Sequence, residues 1–484
     1  MNLVARIFKN SFALVAAELI GQVFSFFLIL YIARYLGDVG LGKYSFAYAF
    51  AGLFFMLADM GLFGLSVRNI AHDKKETSRY VNNVASLKFI LGLLSLALTM
   101  FALFFTDNSN EMWLIVLLAG TATFFTTYNK TYVIAFRAYE KMEYEAIVRI
   151  IERIIVSLVG IYCLVMGYGL IGVNLAIIGS YFTTLIMFYF ISSAKIVRIG
   201  FSFDFEFWKF LIRESIPFWL IGVFEFIYFR IDTVMLSVMK DYAVTGWYSA
   251  AYRIIEVLMK IPVMISAALF PTMARLHAES VKSLQVLYQK VTKYLWLLAF
   301  PVATGGIILS KEIIGLIYKE QFNNSVLALQ ILMLAMLFIF VNYFIGNLLM
   351  AINLAKVFMI STGICALFNV LINLALIPYF SYAGAAWATV MTEALNFTIL
   401  FYYAFKHGYK INLAGILYKP IIACAIMAAV ILLTMGNAYF LIKIAVGIAV
   451  YFLVIILLGG IGKEEIEYLK EIFRKEKPIP TLND

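Results

Sequence analysis

The heptapeptide GWYSAAY, Gly246–Tyr252, occurs a second time, earlier in the chain, as GKYSFAY, Gly42–Tyr48. A shift of 204 residues superposes the two without a gap and also sets Ser11 on Ser215. A shift of 212 sets GVNLA, Gly172–Ala176, on GAAWA, Gly384–Ala388. Taken in turn, the two shifts pair the stretches about 1–200 and 208–406, so the chain reads as a duplication.

The surrounding composition says what is duplicated. Of 484 residues, 64% are hydrophobic and only 14% charged. A soluble domain averages about 25% charged residues, and mean hydropathy is +0.93. Crossing the hydrocarbon core takes about 20 apolar residues. Fourteen stretches meet that length, at about 10–33, 41–66, 81–105, 112–136, 146–167, 170–193, 213–238, 243–272, 291–309, 326–351, 356–377, 383–405, 415–435 and 438–460. The first is full length and runs on into further spans, so it reads as a span and not as a cleaved leader. The expected fold is all-α and integral to the membrane. Two parallel six-helix lobes, 1–200 and 213–406, are joined by an interfacial linker at 201–212. Two added helices, 407–460, and a tail, 461–484, complete it. Six spans is an even number, so both lobes start on the same side, and parallel repeats leave a central cleft about an axis normal to the membrane.

Most of the 38 lysines and arginines fall in the segments that lie inside when the N-terminus is inside. Both termini are therefore expected in the cytoplasm, with the chain multi-pass in the cell membrane. The net charge of +10 then answers to anionic lipid headgroups and not to nucleic acid.

Enzyme chemistry finds little footing. Cys163, Cys365 and Cys424 all lie in spans and read as packing residues. The three histidines fall in separate inner loops, which leaves neither a metal cluster nor a catalytic pair. No GxxxxGK[ST] loop is present. The outer connections are too short to house a glycosyltransferase domain. The expectation is a protein that is not an enzyme and needs no cofactor.

Charges inside the spans point to the work done. Arg253, Glu256 and Lys260 share one face of the eighth span, and the seventh adds Glu225, Arg230 and Asp232. Facing six such charges to lipid at about 2.5 kcal/mol each would cost roughly 15 kcal/mol, more than a typical folding stability. They must point inward, as contacts for a substrate or an ion. Arg253 lies about 15 Å below the outer end of its span at 1.5 Å per residue, with Arg230 at similar depth on the adjacent span. Fork-shaped, always charged guanidinium groups suit phosphate oxygens, and Lys260, deeper, could pass the phosphate along. In the first half, Glu18, Asp59, Lys88 and Arg153 all lie about two turns from the cytoplasmic ends of their spans. They are expected to form an inner salt-bridge ring. In NVLINLALIPYFSYAGAAWATVM, Asn369–Met391, Asn369 and Asn373 share a helix face and require partners in hydrocarbon. The small residues after Pro378 permit close helix approach.

Four stretches carry a family resemblance: ADMGLFGLSVRNIA (58–71), FRAYEKMEYEAI (136–147), RIDTVMLSVMKDYAVTGWYSAAYRI (230–254) and NVLINLALIPYFSYAGAAWATV (369–390). In this order and at this topology the chain resembles the multidrug/oligosaccharidyl-lipid/polysaccharide exporter superfamily, and within it the O-antigen type, Wzx-like polysaccharide flippases. The resemblance covers 1–406 and implies alternating access by two six-helix lobes, exporting a polyprenyl-linked oligosaccharide from the inner to the outer leaflet. Relatives that flip the peptidoglycan precursor use cavity arginines for pyrophosphate, and some bind sodium through an aspartate ending span seven, an asparagine of span eleven and a threonine of span twelve. By that resemblance Asp232, Asn369 or Asn373, and Thr389 or Thr392 form a candidate cation site for sodium, with proton coupling as the other option. Oxygen ligands suit a hard cation. The expected partners are the lipid-linked oligosaccharide, membrane lipids and polysaccharide-assembly enzymes, with the protein itself a monomer. A multidrug and toxin exporter of the same superfamily, exchanging an organic cation for sodium or protons, is the alternative. A scaffold for polysaccharide assembly is a third reading, but it has no need of charges in a duplicated cleft.

Overall fold

The computed structural model describes residues 3–106, 109–434 and 439–460, and within them the regular structure is helical throughout. The order is α1 (Leu3–Asp59), α2 (Leu62–His72), α3 (Thr77–Leu103), α4 (Asn110–Ala138), α5 (Met142–Val165), α6 (Gly169–Lys195), α7 (Phe205–Met239), α8 (Tyr242–Glu279), α9 (Val281–Ile308), the short α10 (Ser310–Ile317), α11 (Ser325–Ala351), α12 (Ala355–Lys406), α13 (Leu413–Thr434) and α14 (Phe440–Leu457). Among the described residues, ten helical segments are long and apolar enough to cross a membrane, so the protein is a multi-pass membrane protein. The charged helices α5 and α7 fall outside that set because they carry the inward charges, among them Arg153 on α5 and Glu225, Arg230 and Asp232 on α7.

Two of the helices are longer than any membrane. The 57 residues of α1 would extend about 86 Å, nearly three times the hydrocarbon core. The chain breaks it at Gly37, where φ is 75°. Glycine alone enters that region without strain. The 52-residue α12 breaks likewise at Ser381, φ 54°, three residues after Pro378. The spans expected at 356–377 and 383–405 leave a short turn between them; the structure confines it to a single non-helical residue. Four helix starts carry side-chain caps: Ser109, Asp204, Asp241 and Ser280 each accept a bond from the backbone N–H three residues on.

Packing sorts the helices. In the first half α1 packs on α3, α4 and α5, while α6 packs on α4 and α5. In the second half α11 packs on α8, α9 and α12, and α12 on α7. The two groups meet through α1 and α2 against α7 and α8. The last hairpin, α13 and α14, rests on α9. It is held by Lys443 Nζ to Glu312 at 3.0 Å and by Tyr451 donating to the Leu297 carbonyl.

The connection between the groups is tied down by α3. The N–H groups of Gly200, Ser202 and Asp204 donate to Asn82, Ser86 and Asn83 in turn. Trp208 Nε1 shares the Asn83 oxygen. Phe201, Phe203 and Phe205 stay exposed beside it. The sequence also suggests an amphipathic helix at 463–475, which lies outside the described residues.

Candidate functional site

A cavity of about 310 Å³ opens where α1, α5, α7 and α8 converge, lined by Tyr44, Tyr48, Arg153, Arg230, Arg253 and Glu256 among others. A second, of about 410 Å³, adjoins it and shares Arg230, Tyr252, Arg253 and Glu256 while adding Glu225, Lys260 and Tyr343. Across the two walls Arg153, Arg230, Arg253 and Lys260 face only Glu225 and Glu256 as formal anions, so the lining carries excess positive charge.

Two like-charged arginines at one depth repel unless an anion lies between them. Glu256 supplies it. Its carboxylate accepts from Arg253 at 2.6 Å and from Arg230 at 2.7 Å. Arg230 nevertheless keeps 44% of its side chain exposed, which leaves guanidinium N–H groups available to a second anion. Lys260 reaches across to Glu18 on α1 at 3.4 Å.

The inner set divides. Asp59 binds Lys88 at 2.8 Å and also Lys130, which the sequence reading did not single out, at 3.1 Å. Glu18 turns to Gln22 and Lys260. Arg153 donates to Ser25 and lines the cavity. The four residues are thus spread over two places, and one of them belongs to the cavity wall.

A buried polar cluster lies in the second group, where α7, α8 and α12 meet. Asp232 accepts from Tyr248 Oη at 2.7 Å, Asn373 Nδ2 at 2.6 Å and Thr389 Oγ1 at 3.1 Å. Asn373 also donates to Asn369, which donates to Thr392. Both asparagines and both threonines therefore take part. The buried Oδ1 of Asn373 has no partner. An orphaned acceptor among carboxylate, amide and hydroxyl oxygens fits a hard monovalent cation. Tyr248 was missed by the sequence reading, although it is the tyrosine of the repeated G-x-Y-S motif.

That motif also closes one end of the cavity. A Cβ on Gly42 would strike the Tyr242 carbonyl, and one on Gly246 would strike the Asp38 carbonyl, so the two copies cross backbone to backbone. Trp247 donates to Asp38 at 2.8 Å. Arg34, from α1, binds the carbonyls of Leu316 and Ile317 at the end of α10. At the other end, the Asp-Met-Gly turn sets Met60 and Gly61 at positive φ and packs Gly61 onto Ser215 and Trp219 of α7.

Comparison with known proteins decides the family. The family described as polysaccharide biosynthesis protein matches residues 7–277, more than half of the chain. The chain belongs to that family. A second family, MatE, matches 217–375, so the superfamily read from the motifs is shown. Among curated relatives, the probable low-salt glycan biosynthesis flippase Agl15 of Haloferax volcanii is 23% identical over 411 residues, 80% of this chain and 81% of its own. Lipopolysaccharide biosynthesis protein WzxC of Escherichia coli K12 is 28% identical over 180 residues, 36% of this chain and 35% of its own. Among solved structures, lipid II flippase MurJ in an inward closed conformation matches with a TM-score of 0.78 at 18% identity, covering 94% of this chain and 99% of that one. An inward-facing multidrug resistance MATE transporter of the MOP superfamily matches with a TM-score of 0.66 at 15% identity, covering 80% and 94%. At these identities the structural likeness speaks for the fold.

Proposed function

We propose that this protein is a flippase that carries a lipid-linked oligosaccharide across the cell membrane, from the cytoplasmic to the outer leaflet, without chemical conversion. The observation that carries the reading is the Arg230–Glu256–Arg253 array on a cavity whose wall holds more cations than anions. The cargo presents phosphate where sugar joins lipid. An entering phosphate can replace one arm of Glu256 and bridge the two guanidinium groups, with Arg153 and Lys260 adding positive charge on either side. The relative named a probable glycan biosynthesis flippase, Agl15, favours the same reading.

In this reading fourteen segments cross the bilayer, with α1 and α12 each counted twice at their breaks, and both termini are cytoplasmic. Two six-helix lobes, 1–200 and 213–406, rock about the cavity. The G-x-Y-S crossing is the closed outer gate, and the acidic and basic groups near the inner ends rearrange as it opens. Asp232, Asn369, Asn373, Thr389 and Thr392 would hold sodium, whose binding supplies the driving ion. The protein acts as a monomer beside polysaccharide-assembly enzymes.

The multidrug antiporter is the second reading, favoured by the MatE match over 217–375. Proteoliposomes decide between them. The flippase reading expects a fluorescent polyprenyl-diphosphate oligosaccharide to become accessible on the far leaflet only when the protein is present. It also expects no exchange of ethidium for sodium or protons. Cation exchange without lipid flipping would overturn it.

A further inference from the structure

Glu225, on α7, opens into the second cavity. Every other formal charge on the two cavity walls is occupied: Glu256 takes Arg230 and Arg253, Lys260 reaches Glu18, and Arg153 donates to Ser25. Among the described residues the Glu225 carboxylate accepts no hydrogen bond and pairs with no cation. Its place is unfavourable for a cavity that takes phosphate, since like charges repel more strongly away from bulk water. A carboxylate kept there without a partner in the protein is left for one in the cargo.

Its neighbours define the kind of partner. Gln22 of α1 gives its amide nitrogen to Glu18 at 2.9 Å, which leaves its oxygen to the cavity. The rings of Phe226, Phe229, Tyr252 and Tyr343 line the same space. The wall is open at Gly222, where a Cβ would meet nothing within 4 Å. A carboxylate only accepts, through two oxygens, so it takes a pair of hydroxyl groups, and flat ring faces cover the apolar side of a sugar. A hard metal ion takes more oxygen ligands than these, and no group of three or more acidic, histidine or cysteine side chains gathers among the described residues. Glu225 stands five residues before Arg230 on α7, about 7.5 Å along the helix axis. One sugar ring covers that reach from its phosphate to its far hydroxyls. Arg253 Nε, on the wall that both cavities share, is buried without a partner and is a free donor for that phosphate.

We propose that Glu225, with Gln22 and the rings around them, is the subsite for the first sugar of the cargo, and that this sugar is neutral. The proposal rests on the flippase reading and adds what the phosphate carries. Hydroxyl groups donating to the carboxylate hold the sugar in place. A uronic acid there would set carboxylate against carboxylate and is excluded. A site built to bond a substrate hydroxyl discriminates strongly against analogues that lack it.

Calorimetric titration of the purified full chain tests the subsite with soluble probes: inorganic phosphate, glucose 1-phosphate, galactose 1-phosphate and glucuronic acid 1-phosphate. In wild type one or both neutral hexose phosphates should bind about tenfold or more tightly than inorganic phosphate, as a hydrogen bond to a charged group allows. The glucuronic acid phosphate should gain nothing over phosphate. Glu225→Leu should remove the hexose gain while phosphate itself binds at least as tightly. Glu225→Gln drops the charge and keeps an acceptor, so the glucuronic acid phosphate should bind more tightly than in wild type, a change that a structural role would not produce. Gly222→Val fills the open wall without touching the arginines; it should also remove the gain, which keeps the test open if Glu225→Leu does not fold. Hexose phosphates bound no more tightly than phosphate, or a gain left whole by both Glu225→Leu and Gly222→Val, overturns the proposal and leaves the flippase reading standing. Tight binding of the glucuronic acid phosphate by wild type likewise overturns it. Binding of no probe at all strikes both.

Discussion

At the scale of single residues, Glu256 is the centre of the cavity's charge. It pairs with both Arg230 and Arg253, so Glu256→Gln leaves two like charges facing each other. Charge-assisted bonds of this kind contribute about 1.5–3 kcal/mol, and the water-accessible cavity keeps the loss toward the lower end. The expected outcome is a lower melting temperature in detergent, with binding of inorganic pyrophosphate strengthened several-fold because the internal competitor is gone. A calorimetric titration checks it; pyrophosphate binding weakened by Glu256→Gln would mean that the carboxylate does not compete with phosphate. A second residue, Asp204, caps α7 and accepts from the Phe207 N–H, which together with Arg79 holds its carboxyl below the usual range. A depressed carboxyl adds stability above its unfolded pKa and loses it as pH falls through the folded one. Limited proteolysis by an acid protease should therefore cut the 200–204 linker faster as pH falls below the ordinary Asp value of about 3.9, and Asp204→Asn should remove that pH dependence.

At the scale of elements, the breaks in α1 and α12 and the glycine crossings set what can move. Gly42 and Gly246 allow the N-terminal ends of the second part of α1 and of α8 to touch backbone to backbone. A leucine at 246 cannot fit there, so Gly246→Leu should hold the outer side open. Spin labels at Val39 and Leu316 would report a longer distance distribution in the variant than in wild type, and an unchanged distribution would remove the gate role. The pairing of these glycines was legible, because matching G-x-Y-S-x-A-Y motifs stood 204 residues apart. Their contact with each other was not, since a repeat states likeness and not docking. The single-residue break at Ser381 was hidden by the helical pattern continuing on both sides. Lys130 escaped notice because only the third dimension brings it beside Asp59, 71 positions away.

At the scale of the whole molecule, membrane class and superfamily were legible because hydropathy, charge bias and four ordered motifs agreed with one another. The sidedness of the chain follows from the same charge bias. It predicts that a cysteine at Tyr379 is labelled by an impermeant maleimide in intact cells, while one at Lys141 is labelled only after permeabilisation; the reverse pattern would invert the topology. The central claim, that the arginine array carries the phosphate of a lipid-linked saccharide through the cavity, is tested most directly by flipping in proteoliposomes. Arg253→Ala, folded and inserted at wild-type levels, is predicted to lose most of the rate, at least about tenfold for a lost charged contact of about 1.4 kcal/mol or more. Arg253→Lys, which keeps the charge but not the fork, is predicted to retain part of it. Undiminished flipping by both Arg253→Ala and Arg230→Ala would contradict the account.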